Sequence, residues 1–144
     1  MLLSACVGGV ALVAAALIDP DLYRRYWRAI FAATAVVIAF VLLVGHAAHG
    51  STRWINLGFF TFQPSEFGKL LFVLAIAGLL AERERELNGW STTLRVVGIG
   101  LIPVLLVFAQ PDLGTALVYL AALGAMLYIA GVPWRHLALL GALV

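Results

Sequence analysis

From Gln63 to Glu86 the chain reads QPSEFGKLLFVLAIAGLLAERERE. Its middle, Leu70 to Ala81, carries no charged or amide side chain, and alternating Glu and Arg close it at Glu82–Glu86. Pro64 suits a first helical position, because the N–H that proline lacks would have no intrahelical partner there. A helix rises about 1.5 Å per residue, so some 20 apolar residues cross a hydrocarbon layer of about 30 Å. The stretch from Gln63-Pro64 to about Ala81 therefore reads as a transmembrane helix, with water at both of its ends.

Reading outward, the pattern repeats. Leu2–Ile18 is apolar and ends at Asp19-Pro20-Asp21. Leu22 to Trp27 reads as a basic turn with Arg24 and Arg25, Arg28 follows, and Ala29–Gly45 is a second span. His46 to Phe62 is a polar, glycine-bearing loop. Beyond Glu86 come a span at Thr93–Ala109, a tight turn at Gln110-Pro111-Asp112, a span at Leu113–Ala130 and a turn at Gly131–Arg135. A sixth span begins at His136 and has run nine residues by Val144. The expected fold is an all-α polytopic transmembrane bundle of about five full helices plus the start of a sixth, one partial domain over residues 1–144 with both ends expected to be cut.

Composition agrees. Of the 144 residues, 64% are hydrophobic and 11% charged, against about 25% charged in soluble domains, and mean hydropathy is +1.07. A net charge of +2 gives no footprint for nucleic acid. Cys6 is the lone cysteine, which excludes a disulfide framework. The lipoprotein-like Leu3–Cys6 has no basic residue before it and too short an apolar lead. Neither a nucleotide loop nor a catalytic triad is present. His46 and His49 have no further ligands in the sequence, so no metal site is expected.

Arginine sets the orientation. Alternate turns hold Arg24, Arg25 and Arg28, then Arg83, Arg85 and Arg95, then Arg135, whereas the intervening turns hold only Arg53. The seven-residue set is expected in the cytoplasm. The His46–Gln63 loop and the Gln110–Asp112 turn are then expected outside, where each opens a helix with a Gln-Pro pair.

Three ionisable residues lie in or at the lip of spans: Glu66, Lys69 and Asp112. A charge deep in a span costs about 2.5–3.5 kcal/mol on insertion scales, so such residues face a partner or a watery cavity. Glu66 and Lys69 share a helix face, and the Lys69 stem can snorkel toward Asp112. A Lys69–Asp112 ion pair is expected, with two readings open: a staple between helices or direct contact with a ligand. Two outward helix N-termini form a partial positive pole that suits a phosphate group. Arg53 beside Trp54 adds a charge there or anchors the interface. Glu66 and Asp112 also suit their own helix dipoles.

Taken together, Gly50-Ser51-Thr52-Arg53-Trp54-Ile55, Phe62-Gln63-Pro64-Ser65-Glu66 with Lys69, and Gln110-Pro111-Asp112-Leu113-Gly114-Thr115-Ala116 resemble the SEDS family (shape, elongation, division and sporulation). These are the RodA, FtsW and SpoVE-like proteins of bacteria, and the chain looks more like RodA. The resemblance implies a ten-helix fold, of which this chain matches helices two to early seven. It also implies polymerisation of lipid II, the undecaprenyl pyrophosphate-linked precursor, in the plasma membrane, with a class B penicillin-binding protein as partner. The family's Lys–Asp pair falls on Lys69 and Asp112, and its essential aspartate falls beyond Val144, so no catalytic residue is expected here. Arg53, Gln63, Ser65 and Gln110 become candidate contacts on the pyrophosphate side, with Glu66 shaping the cavity. No cofactor is expected in this segment, although the full enzyme is compatible with a divalent cation. A flippase for the lipid-linked precursor and a non-catalytic scaffold for a penicillin-binding protein are the competing functions.

Overall fold

The structure, a computed structural model, describes residues 19–44, 55–56, 61–62 and 64–142. The first expected span, His46, His49, Arg53 and Gln63 lie outside the described residues. Five α-helices follow one another within the described set: α1 Pro20–Val44, α2 Pro64–Glu82, α3 Trp90–Phe108, α4 Leu113–Ile129 and α5 Trp134–Ala142. A 3-10 turn at Glu84–Glu86 joins α2 to α3. Strands β1 Ile55–Asn56 and β2 Thr61–Phe62 pair antiparallel inside what reads in sequence as a polar loop.

The first correction concerns α1. Leu22–Trp27 is not a turn but the opening of the helix, which starts nine residues before Ala29. Asp19 explains this. Its Oδ1 accepts the Asp21 N–H at 3.0 Å and its carbonyl accepts the Leu22 N–H at 3.0 Å, while Pro20 supplies a first residue that has no N–H to satisfy. Nothing between Pro20 and Val44 breaks a helix, so the arginines simply ride on its first turns. The α3 and α5 helices likewise begin at Trp90 and Trp134, ahead of the expected Thr93 and His136.

The α1 and α2 helices form an antiparallel hairpin, the most extensive helix pair in the described chain. Trp27 near the start of α1 is buried, and its Nε1 donates to Glu82 Oε2 at the end of α2. Arg28 Nη2 reaches the other Glu82 oxygen at 3.2 Å. Gly78 lets the helices meet, because a Cβ there would lie 2.6 Å from Trp27 Cβ and 2.9 Å from the Tyr23 carbonyl oxygen. Close approach at small residues is the usual device where lipid supplies no hydrophobic drive between helices. Behind this contact, Phe72, Ile76 and Leu79 of α2 are fully buried together with Ile38, Val96, Val107 and Tyr119.

The end of α4 is set by its backbone. Gly131 takes a φ of 83°, its N–H bonds the Tyr128 carbonyl, and the Val132 N–H bonds the Leu127 carbonyl at 3.1 Å. This is a Schellman ending, with Val132 and Leu127 buried as its apolar pair. Gly131→Ala forces an L side chain into that left-handed geometry and is expected to destabilise by about 1–2 kcal/mol, read as a lower melting temperature in detergent.

One described helix, Trp90–Phe108, is long and apolar enough by itself to cross a membrane, and the 17-residue Leu113–Ile129 is a shorter apolar helix. The α2 helix is less uniformly apolar because it carries Glu66, Lys69 and Glu82. Large apolar side chains also face outward, among them Leu94, Ile102, Leu105, Leu117 and Ile129. Water penalises such faces and acyl chains accept them.

Candidate functional site

The α2 and α4 helices run parallel, so their N-termini share one end of the bundle. Gly68 sets their approach, since a Cβ there would fall 2.4 Å from Tyr119 Oη and 3.4 Å from Ile38 Cδ1. One turn deeper, the Phe72 and Tyr119 rings lie 4.9 Å apart and tilted by 46°. Lys69 follows Gly68 and is half-buried.

Asp112 caps α4. Its Oδ1 accepts the Thr115 N–H at 3.1 Å and its Oδ2 accepts the Thr115 hydroxyl at 2.9 Å. One threonine thus holds both carboxylate oxygens, and Asp112 and Thr115 are both buried. The cap also corrects the reading of the turn: Pro111 precedes the cap and is not the first helical residue, unlike Pro64, which opens α2. The role of Asp112 toward its own helix is therefore realised, and an N-cap carboxylate complements the positive helix end as well.

Gln110 sits beside this cap. Its Nε2 donates to the Ile38 carbonyl at 2.7 Å, tying the α3–α4 turn to α1, and only 3% of the residue is exposed. The end of the bundle thus gathers Lys69, Gln110, Asp112 and Thr115 around the starts of α2 and α4. Ser65 and Glu66 belong to the first turn of α2, but their side chains lie outside the described set. Among the described residues, no cluster of histidine, cysteine or carboxylate could hold a metal.

A family model of cell cycle proteins, covering FtsW, RodA and SpoVE, matches residues 1–144. The chain belongs to that family. A probable peptidoglycan glycosyltransferase FtsW of Saccharophagus degradans is 34% identical over 142 residues, which cover 93% of this chain and 35% of that protein. Another, of Halorhodospira halophila, is 38% identical over 110 residues, covering 75% and 28%. The crystal structure of the Thermus thermophilus rod shape determining protein RodA superposes with a TM-score of 0.72 at 33% identity, over 94% of this chain and 46% of that one. A chain from a peptidoglycan synthase complex that coordinates polymerization and crosslinking gives a TM-score of 0.74 at 34% identity, covering 97% and 42%. This chain therefore spans about a third of the length of its curated relatives. Identity to the FtsW relative from Saccharophagus degradans, 34%, and to the solved RodA, 33%, differs by a point. The assignment accordingly stands at the level of the family.

Members of this family are membrane proteins, which accounts for the apolar outer faces. Two features of this FtsW/RodA/SpoVE chain were not among the candidate residues. Thr115 completes the Asp112 cap, and the Asp-x-x-Thr spacing is the signal that could have found it. At the opposite end, Thr93 Oγ1 and His136 Nδ1 share a hydrogen bond of 2.9 Å, with the His136 ring 4.1 Å from that of Trp90. Neither residue belongs to a recognisable motif, and only the packing of α5 on α3 brings them together.

Proposed function

We propose that this chain is a segment of a membrane-embedded peptidoglycan glycosyltransferase that lengthens glycan strands from lipid II. One observation carries the reading: in a chain of this family, the α2 and α4 N-termini share one end of the bundle, where the buried Asp112 is held by Thr115 through both carboxylate oxygens. In the reaction, a sugar hydroxyl attacks the anomeric carbon of the lipid-linked glycan. The bond to pyrophosphate breaks, pyrophosphate leaves on its lipid carrier, and the hydroxyl proton passes to a general base. No residue of this segment is assigned as that base. Its part is to stabilise the leaving pyrophosphate and shape the cavity. The two helix N-termini and Arg53 would supply positive potential, Gln63, Ser65 and Gln110 are assigned to the pyrophosphate side by their place in the sequence, and Lys69 would pair with Asp112, with Glu66 shaping the cavity. The partner would be a class B penicillin-binding protein. A divalent cation, if the full enzyme takes one, would be held outside this segment.

The working orientation puts that end outside the cell. Every described arginine lies at the other end, on the α1 start, the α2–α3 link, the first turns of α3 or the start of α5, as the inside of a membrane protein prefers. In full-length protein with Cys6→Ser, Ser51→Cys is expected to react with an impermeant thiol reagent in intact cells. Asn88→Cys is expected to stay unlabelled until the cells are opened. Reversed labelling would invert the assignment and remove the site from the side where lipid II is polymerised.

The enzymatic reading is tested by supplying purified full-length protein and its penicillin-binding partner with lipid II and resolving the products by length. Glycan ladders are expected. Transfer of lipid II across vesicles with no polymer formed would favour the flippase instead.

A further inference from the structure

At the arginine-rich end, α1 and α2 enclose an open cavity of about 480 Å³ lined by Asp21, Arg24, Arg25, Trp27, Arg28 and Glu82. The lining carries one net positive charge, three guanidiniums against two carboxylates. One carboxylate is already engaged, because Glu82 accepts from Trp27 and Arg28. Arg25 lies 5.8 Å from the Tyr26 ring centroid, and Arg24 makes no ion pair among the described residues. Two planar donor groups thus face a space with no anion assigned to them.

Where this cavity sits decides what fills it. The α1 helix has 25 residues, about 37 Å at 1.5 Å per residue, against about 30 Å of hydrocarbon. Its first turns therefore stand in the headgroup layer. Next to the cavity on the same helix, Leu22, Tyr26, Ala29, Ala33, Val36 and Phe40 recur at helical spacing, all exposed. They form an apolar stripe leading from the arginines toward the bilayer centre. A guanidinium pocket matches a phosphate, and an apolar stripe matches an acyl chain.

We propose that this cavity binds the phosphate of an anionic phospholipid headgroup, with an acyl chain lying along the α1 stripe. The site is remote from Lys69 and Asp112 and does not depend on the proposed reaction. It anchors the α1–α2 hairpin at a fixed depth.

The test uses full-length protein in detergent, with phosphatidylglycerol and phosphatidylcholine as probes and retained lipid counted by native mass spectrometry. Arg24→Gln with Arg25→Gln is expected to weaken phosphatidylglycerol retention about thirty-fold, the factor for losing two basic contacts near an anionic headgroup. Phosphatidylcholine retention should not change. Arg85→Gln with Arg95→Gln removes equal charge from exposed positions at the same end and should retain phosphatidylglycerol like the unmodified protein. Arg24→Lys with Arg25→Lys should keep most of it, which separates loss of charge from loss of folding. Equal losses in the two glutamine pairs would mean diffuse attraction, and unchanged retention in the first pair would mean no site. Displacement of the lipid by millimolar inorganic phosphate would make this a free-ion site. Each of these outcomes overturns the proposal.

Discussion

Gly78→Leu in the full-length protein is expected to abolish recovery of folded material. A single Cβ at this position already falls 2.6 Å from Trp27 Cβ and 2.9 Å from the Tyr23 carbonyl oxygen. The second of these is backbone and cannot rotate aside. Leucine adds three more carbons along the same direction, so α1 and α2 must separate. Separation also breaks the links from Trp27 and Arg28 to Glu82. Overpacking in a core that can relax costs about 1–3 kcal/mol, and here relaxation is blocked, so about 3 kcal/mol or more is expected. Monodisperse yield after detergent extraction measures it. Yield and melting temperature equal to those of the unmodified protein would refute the packing described for this hairpin.

The second large effect is at Asp112. Asp112→Ala removes the cap of α4, about 1–2 kcal/mol for a capping side chain. It also strands the Thr115 N–H and hydroxyl, both of which donate to this carboxylate. Buried donors without acceptors are costly. Asparagine can still accept from the Thr115 N–H but carries no charge. Folded yield should therefore fall in Asp112→Ala and be largely retained in Asp112→Asn. The proposed pair makes a further demand. If Lys69 and Asp112 interact, Lys69→Ala with Asp112→Ala should be less damaging than the two single losses added together, because no orphan charge remains. Additive losses in yield would leave Asp112 as a cap alone.

Much of this architecture was legible because lipid imposes a coarse code. The apolar middle of α2, the Glu/Arg closure after it and the Gln-Pro openings mark helix limits that the structure reproduces within a residue or two for α2 and α4. The α1 start was misplaced because arginines suggest water, and a helix can carry them into the headgroup layer without ending. There Asp19 and Pro20 were the better signal, since a cap and a fixed φ decide where a helix begins. The short β1–β2 pairing had no alternating pattern long enough to announce it. At the candidate site, Asp112 stood out through its charge, whereas Thr115 and Tyr119 did not. The Thr115 cap is local to α4 and its Asp-x-x-Thr spacing is a readable signal, whereas the Tyr119 hydroxyl over Gly68 has meaning only once α2 and α4 are packed. Gln110 is a candidate contact by its place in the turn, and the link from its Nε2 to the Ile38 carbonyl has no signal in the sequence, because it joins residues 72 positions apart.

On the proposed function, the shared end of α2 and α4 serves glycan polymerisation, beyond holding the helices together. That is tested by lipid II polymerisation by the full-length protein with a class B penicillin-binding protein, the proposed partner, comparing unmodified protein with Asp112→Asn once both are shown to be folded by their melting curves. The proposed function predicts glycan ladders from the unmodified protein and a loss of about a hundredfold or more in rate for Asp112→Asn, the scale of a displacement of about 1 Å in a site that releases Lys69 from its counter-charge. Ladders of equal length and rate from a folded Asp112→Asn protein would contradict it.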